Sequence, residues 1–152
     1  MASPKRSRES SVFLDSTVLI AAAISAQGHA RDLILAGLHG HLRLHLSTLV
    51  LRETERNLAK KQPKALPDFE IFRAALSAAI TDPPVSSVLQ VAQVVIPKDA
   101  PIVAAAIAAQ ATYLATYDRK HLLQKKEEIK AHYGLIVATP DEVLAAEGRK
   151  KP

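Results

Sequence analysis

The sequence predicts an α/β fold: a three-layer α/β/α sandwich around a central, mostly parallel sheet of four or five strands. Two observations carry this prediction. Short apolar segments typical of buried strands alternate with longer segments typical of helices. Most of the predicted helices also begin at a capping residue or a proline. Because parallel strands need a crossover between them, usually a helix, this alternation favours a parallel sheet covered on both faces.

The first half of the chain supplies two predicted strands and four helices. Ser16 or Thr17 can cap the first helix, and Ser47 or Thr48 can cap the third. The predicted strands cover residues 11–15 and 42–47, and the predicted helices cover 18–24, 30–38, 49–61 and 67–80.

The second half has one ambiguous segment, residues 85–96, which suits either a strand or a short helix followed by a strand over 93–96. Strands are predicted over 113–116 and 135–138, and helices over 99–110, 119–130 and 140–147. Ligands of such sheets bind beyond the carboxyl ends of the strands, so residues that follow strands are the candidates for a site.

Composition narrows the class of protein. A chain of 152 residues is long enough for one domain with a buried core. It has no uncharged apolar run of about 18 residues, so no membrane-spanning helix is expected. Only three apolar residues separate the charged start from Asp15, too few for a secretory signal. Cysteine is absent, which excludes disulfides and thiolate metal sites. We expect a cytoplasmic protein that does not associate with membranes.

The net charge of +5 is located at the two ends of the chain. Residues 1–10 carry three basic residues and one acid, residues 148–152 carry three basic residues, and residues 11–147 have no net charge. We expect two basic tails, the first of them disordered, around one folded domain over 11–147. If four acids of this domain gather in one site, the rest of it is net basic, which suits a polyanion held around a cation.

Four acids stand out by their positions in the predicted fold. Asp15 ends the first strand, and Asp118 follows the strand over 113–116. Asp99 begins an alanine-rich helix, and Glu53 lies about one turn into the helix after the second strand. A parallel sheet brings these positions to one edge. Carboxylates crowded there would repel one another unless a divalent ion such as Mg²⁺ or Mn²⁺ lay between them.

Such a metal would support hydrolysis of a phosphodiester bond by metal-activated water. No glycine-rich phosphate loop is present, so nucleotide triphosphate binding of that kind is not expected. Each acid has a simpler alternative role. Asp15, Asp99 and Asp118 could cap helices, and Glu53 could be a solvated helix residue. Their joint placement at one edge favours the metal site.

Five segments in order resemble the PIN-domain family. They are Val12-Phe13-Leu14-Asp15-Ser16-Thr17, Ser47-Thr48-Leu49-Val50-Leu51-Arg52-Glu53, Pro97-Lys98-Asp99-Ala100, Thr116-Tyr117-Asp118-Arg119-Lys120-His121, and Leu135-Ile136-Val137-Ala138-Thr139-Pro140. The resemblance covers nearly all of the chain from Ser11 to about Ala146.

The resemblance implies a Mg²⁺- or Mn²⁺-dependent ribonuclease, often the toxin of a VapC-like type II toxin–antitoxin pair. It implies that Asp15 and Asp99 are direct metal ligands and that Asp118 completes the site. Glu53 would orient a water or a second cation, and Thr116 would position a carboxylate by a hydrogen bond. The implied partners are an RNA substrate, a cognate antitoxin and a second copy of the chain.

Basic residues beside the acids are candidates for contacts with RNA. Arg119 and Lys120 follow Asp118 directly, and a solvated helix start is their alternative role. Two features depart from a simple assignment of the acids. Thr17 stands where many relatives have asparagine, and Glu55 lies close enough to Glu53 to be the second-segment acid instead.

Two other functions and one other kind of metal site compete with the metal-dependent nuclease. A haloacid-dehalogenase-like phosphatase would need an acid two residues after Asp15, where Thr17 stands. A catalytically idle PIN scaffold that binds RNA or protein is the main alternative to an enzyme. A transition-metal site at His39, His41 and His45 is less favoured, because exposed histidines on strands are common.

Overall fold

A four-stranded parallel sheet forms the centre of the computed structural model, which describes residues 10–149. The strands are β1 (Ser11–Leu14), β2 (Arg43–His45), β3 (Tyr113–Ala115) and β4 (Ile136–Ala138), in the spatial order β2-β1-β3-β4. All three pairings are parallel. Every residue of the central strands β1 and β3 is buried, so both of their faces are covered. The predicted α/β/α sandwich is confirmed, with four strands.

Eight α-helices flank the sheet in the described part of the chain. They are α1 (Ser16–Ile24), α2 (His29–Leu38), α3 (Thr48–Lys61), α4 (Leu66–Ala75), α5 (Val85–Val91), α6 (Ala100–Ala108), α7 (Lys126–Tyr133) and α8 (Pro140–Arg149). Two short 3₁₀ segments, Pro63–Ala65 and Ser77–Ala79, precede and follow α4. Gly134 ends α7 with a positive φ of 69°, a conformation that favours glycine.

The strand order creates a crevice between β1 and β3. From β1 the chain passes through α1 and α2 to β2 on one side, and then crosses to β3 on the other side. Where successive connections diverge in this way, the loops beyond the carboxyl ends of the two strands separate. Leu14 pairs with Ala115, so the next residues, Asp15 and Thr116, lie side by side at the mouth of this crevice.

The strand predicted over 93–96 is wrong. The chain forms α5 and then a turn that leads directly into α6. Val91 and Val95, four residues apart, are buried, while the intervening and following side chains are more exposed. This is the spacing of one face of a helix rather than the alternation of a strand.

The helix predicted over 119–130 begins later, at Lys126. Residues 119–125 form turns instead. Asp118 organises the first of them, because its Oδ1 accepts a hydrogen bond from the backbone N–H of His121 and its backbone carbonyl accepts one from Leu123. The bond between Asp118 and His121 is of the N-cap type, but the bond to the Leu123 N–H spans five residues and closes a turn, so the chain becomes helical only at Lys126.

The helix predicted over 67–80 is interrupted. It ends at Ala75, and Ile80 instead forms a parallel bridge with Leu46, just beyond β2. The predicted basic tails fall almost entirely on residues 1–9 and 150–152, which lie outside the described residues. No single helix in the described range is long and apolar enough to span a membrane. The pair α1 and α2 reaches that length together, but the chain bends by 101° between them.

Candidate metal centre

One cleft at the carboxyl edge of the sheet contains all four acids singled out from the sequence. Asp15 extends from the end of β1, Glu53 from α3, Asp99 from the start of α6, and Asp118 from the loop after β3. The remaining side chains that line the cleft are Ser16, Thr17, Ile20, Asn57, Lys98, Ile102 and Leu122. Residues far apart in sequence therefore meet at the crevice that the strand order creates.

Asp15 is held by two hydroxyl groups. Thr17 Oγ1 and Thr116 Oγ1 each donate a hydrogen bond of 2.8 Å to the same carboxylate oxygen, Oδ2. Each hydroxyl is itself fixed by a backbone N–H, since Tyr117 donates to Thr17 Oγ1 at 2.9 Å and Asp118 donates to Thr116 Oγ1 at 2.9 Å. The two paired bonds orient a carboxylate that is only 5% exposed. Its other oxygen, Oδ1, receives no hydroxyl.

Asp99 differs from Asp15 in having no hydrogen bond to its carboxylate from any described residue. It is nevertheless 6% exposed and lines the cleft. Its oxygens open on the cleft, since no side-chain oxygen among the described residues is both fully buried and without a partner. The carboxylate thus loses part of its hydration without gaining a donor, and a cation in the cleft would compensate for that loss. This is the feature of the site that most directly suits a bound ion.

Asp118 lies next to Asp99 and is partly occupied by its own turn. Its Oδ1 accepts the His121 backbone N–H at 3.2 Å, and its Oδ2 lies 3.5 Å from His121 Nδ1. One ligand atom from each of Asp99, Asp118 and His121 lies within 4.8 Å of the other two. Among the described residues, no other group of this kind occurs.

The side chains of Glu53 and Glu55 lie in different environments. Glu53 lines the cleft, where the charge of Asp15 acts on it. Glu55 is half-exposed and lies 3.7 Å from the guanidinium of Arg73, an ion pair on the protein surface. The geometry therefore favours Glu53 as the second-segment acid.

Crowding and burial shift the pKa values of three of the acids in the same direction. Burial raises the pKa of Asp15 above its ordinary value, although the hydroxyls of Thr116 and Thr17 and nearby backbone N–H groups act against this. Burial and then the charge of Asp15 raise the pKa of Glu53, against the opposing effect of Lys98. Burial and then the charge of Asp118 raise the pKa of Asp99. A divalent cation bound among the acids would favour their charged forms and so oppose these shifts.

The capping alternative applies to one of the three aspartates. Asp15 and Asp99 occupy the N-cap positions of α1 and α6, but neither side chain makes a cap hydrogen bond. Asp118 does make such a bond, to His121, in a turn rather than a helix. For Asp15 and Asp99, capping therefore does not account for the position of the carboxylate.

Basic side chains flank the acids. Lys98 lines the acidic cleft itself. Arg119 and Lys120, which follow Asp118 in the chain, line a second cleft together with Lys126, Thr139 and one acid, Glu142. Within the described residues, none of these four basic side chains lies within 4.0 Å of a carboxylate oxygen. A negative centre thus adjoins a positive surface.

Comparison with known proteins identifies the family and the fold of this chain. The family described as "PIN domain" matches residues 11–120, which is most of the chain. The chain belongs to the PIN-domain family. Its fold is similar to that of the solved structure entitled "Crystal structure of PAE2754 from Pyrobaculum aerophilum", at a TM-score of 0.60 and 21% identity, with 93% of this chain and 91% of that chain covered. No curated protein gives a significant match to the sequence.

PIN domains are generally metal-dependent nucleases, and the donor set here fits a divalent ion. Carboxylate oxygens are the ligands that Mg²⁺ and Mn²⁺ prefer, and Asp99 presents one that no described residue bonds. The candidate centre of this PIN domain therefore has both the chemistry and the placement that its family requires.

Several residues of the site carry a weaker signal in the sequence. Thr17 departs from the usual family pattern, yet its hydroxyl takes part in holding Asp15. Asn57 could have been found from its spacing, because it lies four residues after Glu53 on the same face of α3. His121 follows two basic residues that suit phosphate contact, and no sequence signal placed it beside Asp99. His39, His41 and His45 form no metal-binding group in the described structure.

Proposed function

We propose that this PIN domain is a metal-dependent endoribonuclease that hydrolyses RNA phosphodiester bonds. The observation that supports it best is the position of Asp99, a residue with little exposed surface whose carboxylate opens on one cleft with three other acids and has no hydrogen-bond donor among the described residues. A site that served only to bind RNA would have no need to bury unpaired negative charge against a polyanion. A site that holds a cation does.

In this proposal, Asp15, Asp99 and Asp118 hold Mg²⁺ or Mn²⁺. When bound, the cation neutralises charge that develops on a phosphoryl oxygen and lowers the pKa of water. Asp15 is presented as a ligand through Oδ1, since both threonine hydroxyls occupy Oδ2. Thr17 and Thr116 prevent its carboxylate from rotating. Preorganised ligands of this kind lose little freedom on binding.

Glu53 has a separate role in the proposal. Glu53 extends from α3 into the cleft that Asp118 also lines. Its raised pKa suits a group that orients the attacking water or accepts a proton from it. Arg119 and Lys120 contact the phosphates that flank the scissile bond. Lys98, inside the cleft, supplies a positive charge close to that bond.

The remaining parts of the proposal come from the family resemblance. We propose that the protein acts in the cytoplasm as a homodimer and is the toxin of a type II toxin–antitoxin pair. A small open reading frame directly upstream, whose product binds this chain and blocks cleavage, would support the toxin assignment. A chain without such a partner would be a stand-alone nuclease.

The test of the activity is incubation with a mixture of structured and unstructured RNAs in Mg²⁺ or Mn²⁺, with EDTA as the metal-free control. The matched variants are Asp99→Asn and Asp32→Asn, the second on the exposed surface of α2. We expect cleavage by the wild type and by Asp32→Asn. Loss of several kcal/mol of charge stabilisation predicts a rate reduction of about 10³-fold or more in Asp99→Asn.

Two results would contradict the proposal. Cleavage that survives both EDTA and Asp99→Asn would point to a contaminating nuclease or a metal-free mechanism. RNA binding without cleavage in every metal tested would assign the chain to the catalytically idle scaffolds.

A further inference from the structure

His121 lies next to the acid cluster, beside Asp99 and Asp118. Its backbone N–H donates to Asp118 Oδ1, and this bond closes the turn that brings the imidazole back toward the same carboxylate. Nδ1 then lies 3.5 Å from Asp118 Oδ2. His121 also lines, together with Asp99, Lys120 and Gln124, a small cleft that adjoins the acidic one. The ring, on a side chain that is 39% exposed, is thus near both aspartates.

The spacing of these three side chains is that of ligands around an ion. Their ligand atoms lie within 4.8 Å of one another. Two atoms that each lie ~2.0–2.3 Å from one cation are separated by roughly 3 to 4.6 Å, depending on the angle between them. The separation of 3.5 Å between His121 and Asp118 is long for a hydrogen bond but ordinary for two neighbouring ligands.

A second observation points to the same place. Asp99 is nine-tenths buried and faces the cleft, and its carboxylate accepts no hydrogen bond from residues 10–149. Acids can lie close together on a protein surface by chance, so their proximity alone would not indicate a metal site. An aspartate with little exposed surface and no donor, whose carboxylate opens on the cleft beside a second carboxylate and an imidazole at ligand spacing, is not explained in that way.

We infer that His121 is a nitrogen ligand of the cation held by Asp99 and Asp118, and that it gives this site a preference for Mn²⁺ over Mg²⁺. The inference rests on the metal centre of the proposed function. Mg²⁺ strongly prefers oxygen ligands and retains its waters. Mn²⁺ also suits carboxylates but, as the first ion of the transition-metal affinity series, accepts a nitrogen ligand such as imidazole more readily than Mg²⁺ does. A site with two carboxylates and one imidazole therefore discriminates between ions that an all-carboxylate site would bind more evenly.

The test uses the full chain and Mn²⁺ alone as the probe. Pulsed electron paramagnetic resonance of bound Mn²⁺ detects coupling to an imidazole nitrogen, and equilibrium titration gives the affinity, with Mg²⁺ as competitor. The variants are His121→Ala and, as the matched control, His132→Ala on α7, which is exposed and lies outside both clefts. Circular dichroism of each variant shows whether it is folded.

We expect nitrogen coupling in the wild type and in His132→Ala, and its loss in His121→Ala. Mn²⁺ affinity should fall in His121→Ala on the order of tenfold, as for comparable changes at metal sites. Mg²⁺ affinity should change much less, so that the Mn²⁺ preference narrows. The coupling in the wild type needs no variant and remains informative if His121→Ala does not fold.

Three results would overturn the inference: no nitrogen coupling in the wild type, coupling that persists in folded His121→Ala, or equal losses of Mn²⁺ and Mg²⁺ affinity. The last would mean that His121 only positions Asp118. These outcomes are separable from the proposed function. Metal-dependent RNA cleavage without nitrogen coupling would support the nuclease and exclude His121 as a ligand. Nitrogen coupling without cleavage would support His121 as a ligand and contradict the nuclease.

Discussion

The two sides of the acidic cleft are built in opposite ways. On the anchored side, the carboxylate of Asp15 is fixed by the hydroxyls of Thr17 and Thr116, which are in turn held by backbone N–H groups. On the open side, Asp99 has no hydrogen bond to its carboxylate from any described residue, and Asp118 and His121 are carried by turns. The site thus combines one carboxylate fixed by two hydroxyls with another that has no donor among the described residues, an arrangement that suits a cation. The predictions below test this difference, from the largest expected effect to the smallest.

After the loss predicted for Asp99→Asn, the largest effect should come from changing Glu53, which lines the same cleft as Asp15. We expect Glu53→Gln to reduce RNA cleavage by about 10²-fold, because a positioned carboxylate that accepts a proton contributes at least that much. Glu55→Gln is the matched control and should cleave at the wild-type rate, since an exposed ion pair with Arg73 contributes little. If Glu55→Gln lost more cleavage activity than Glu53→Gln, Glu55 rather than Glu53 would be the acid that acts in cleavage.

The anchored side should contribute measurably to stability. We expect Thr116→Val to reduce the free energy of unfolding by about 2 kcal/mol, because it removes a donor to the buried charge of Asp15 and the acceptor for the Asp118 N–H. Thr54→Val is the control, since Thr54 is equally buried but only bonds a carbonyl within its own helix. It should change stability by well under ~1 kcal/mol in urea unfolding. Similar losses in the two variants would mean that the anchoring network adds nothing.

The open side should have the opposite effect on stability: without a metal, the charge of Asp99 should lower the free energy of unfolding. A carboxyl whose pKa is raised by folding binds its proton more tightly in the folded state, so stability falls as pH rises from its ordinary pKa, 3.8 for Asp99, through the raised value. We expect Asp99→Asn in EDTA to flatten this fall and to gain about 1 kcal/mol at neutral pH.

Urea unfolding between about pH 4 and pH 7.5 measures this slope, with Asp32→Asn as the control. Added Mn²⁺ should stabilise the wild type and not Asp99→Asn. The idea of an uncompensated open side would fail if Asp99→Asn and the wild type lost stability in parallel over this range.

The smallest effect should come from the basic surface beside the open side. In the cleavage-deficient Asp99→Asn background, we expect the double change Arg119→Gln and Lys120→Gln to weaken RNA binding several-fold. The slope of log affinity against log salt should decrease by roughly 0.7 for each phosphate that these side chains no longer neutralise. Lys60→Gln with Lys61→Gln, at the end of α3, removes the same charge elsewhere. Equal weakening by both pairs would indicate that only the net charge matters.

The sequence by itself determined the sandwich, the strand ends and the four acids. These are local properties: apolar runs of strand length, helix starts, and acids that directly follow strands, all of which follow from neighbours along the chain. Three segments depart from their predictions, 76–80, 93–96 and 119–125. In the first two, packing against distant residues overrides the local preference, because Ile80 bridges Leu46 and because Val91 and Val95 are buried.

Only the tertiary structure decided how the acids differ. That Asp15 is held by a threonine 101 residues away, that Asp99 is buried without a donor among the described residues, and that Glu53 rather than Glu55 enters the cleft are outcomes of packing between distant elements. A linear pattern contains no information about which donors reach a carboxylate, because hydrogen bonding depends on positions set by the whole fold. For the same reason, the place of His121 beside Asp99 becomes visible only when the turn after β3 is folded.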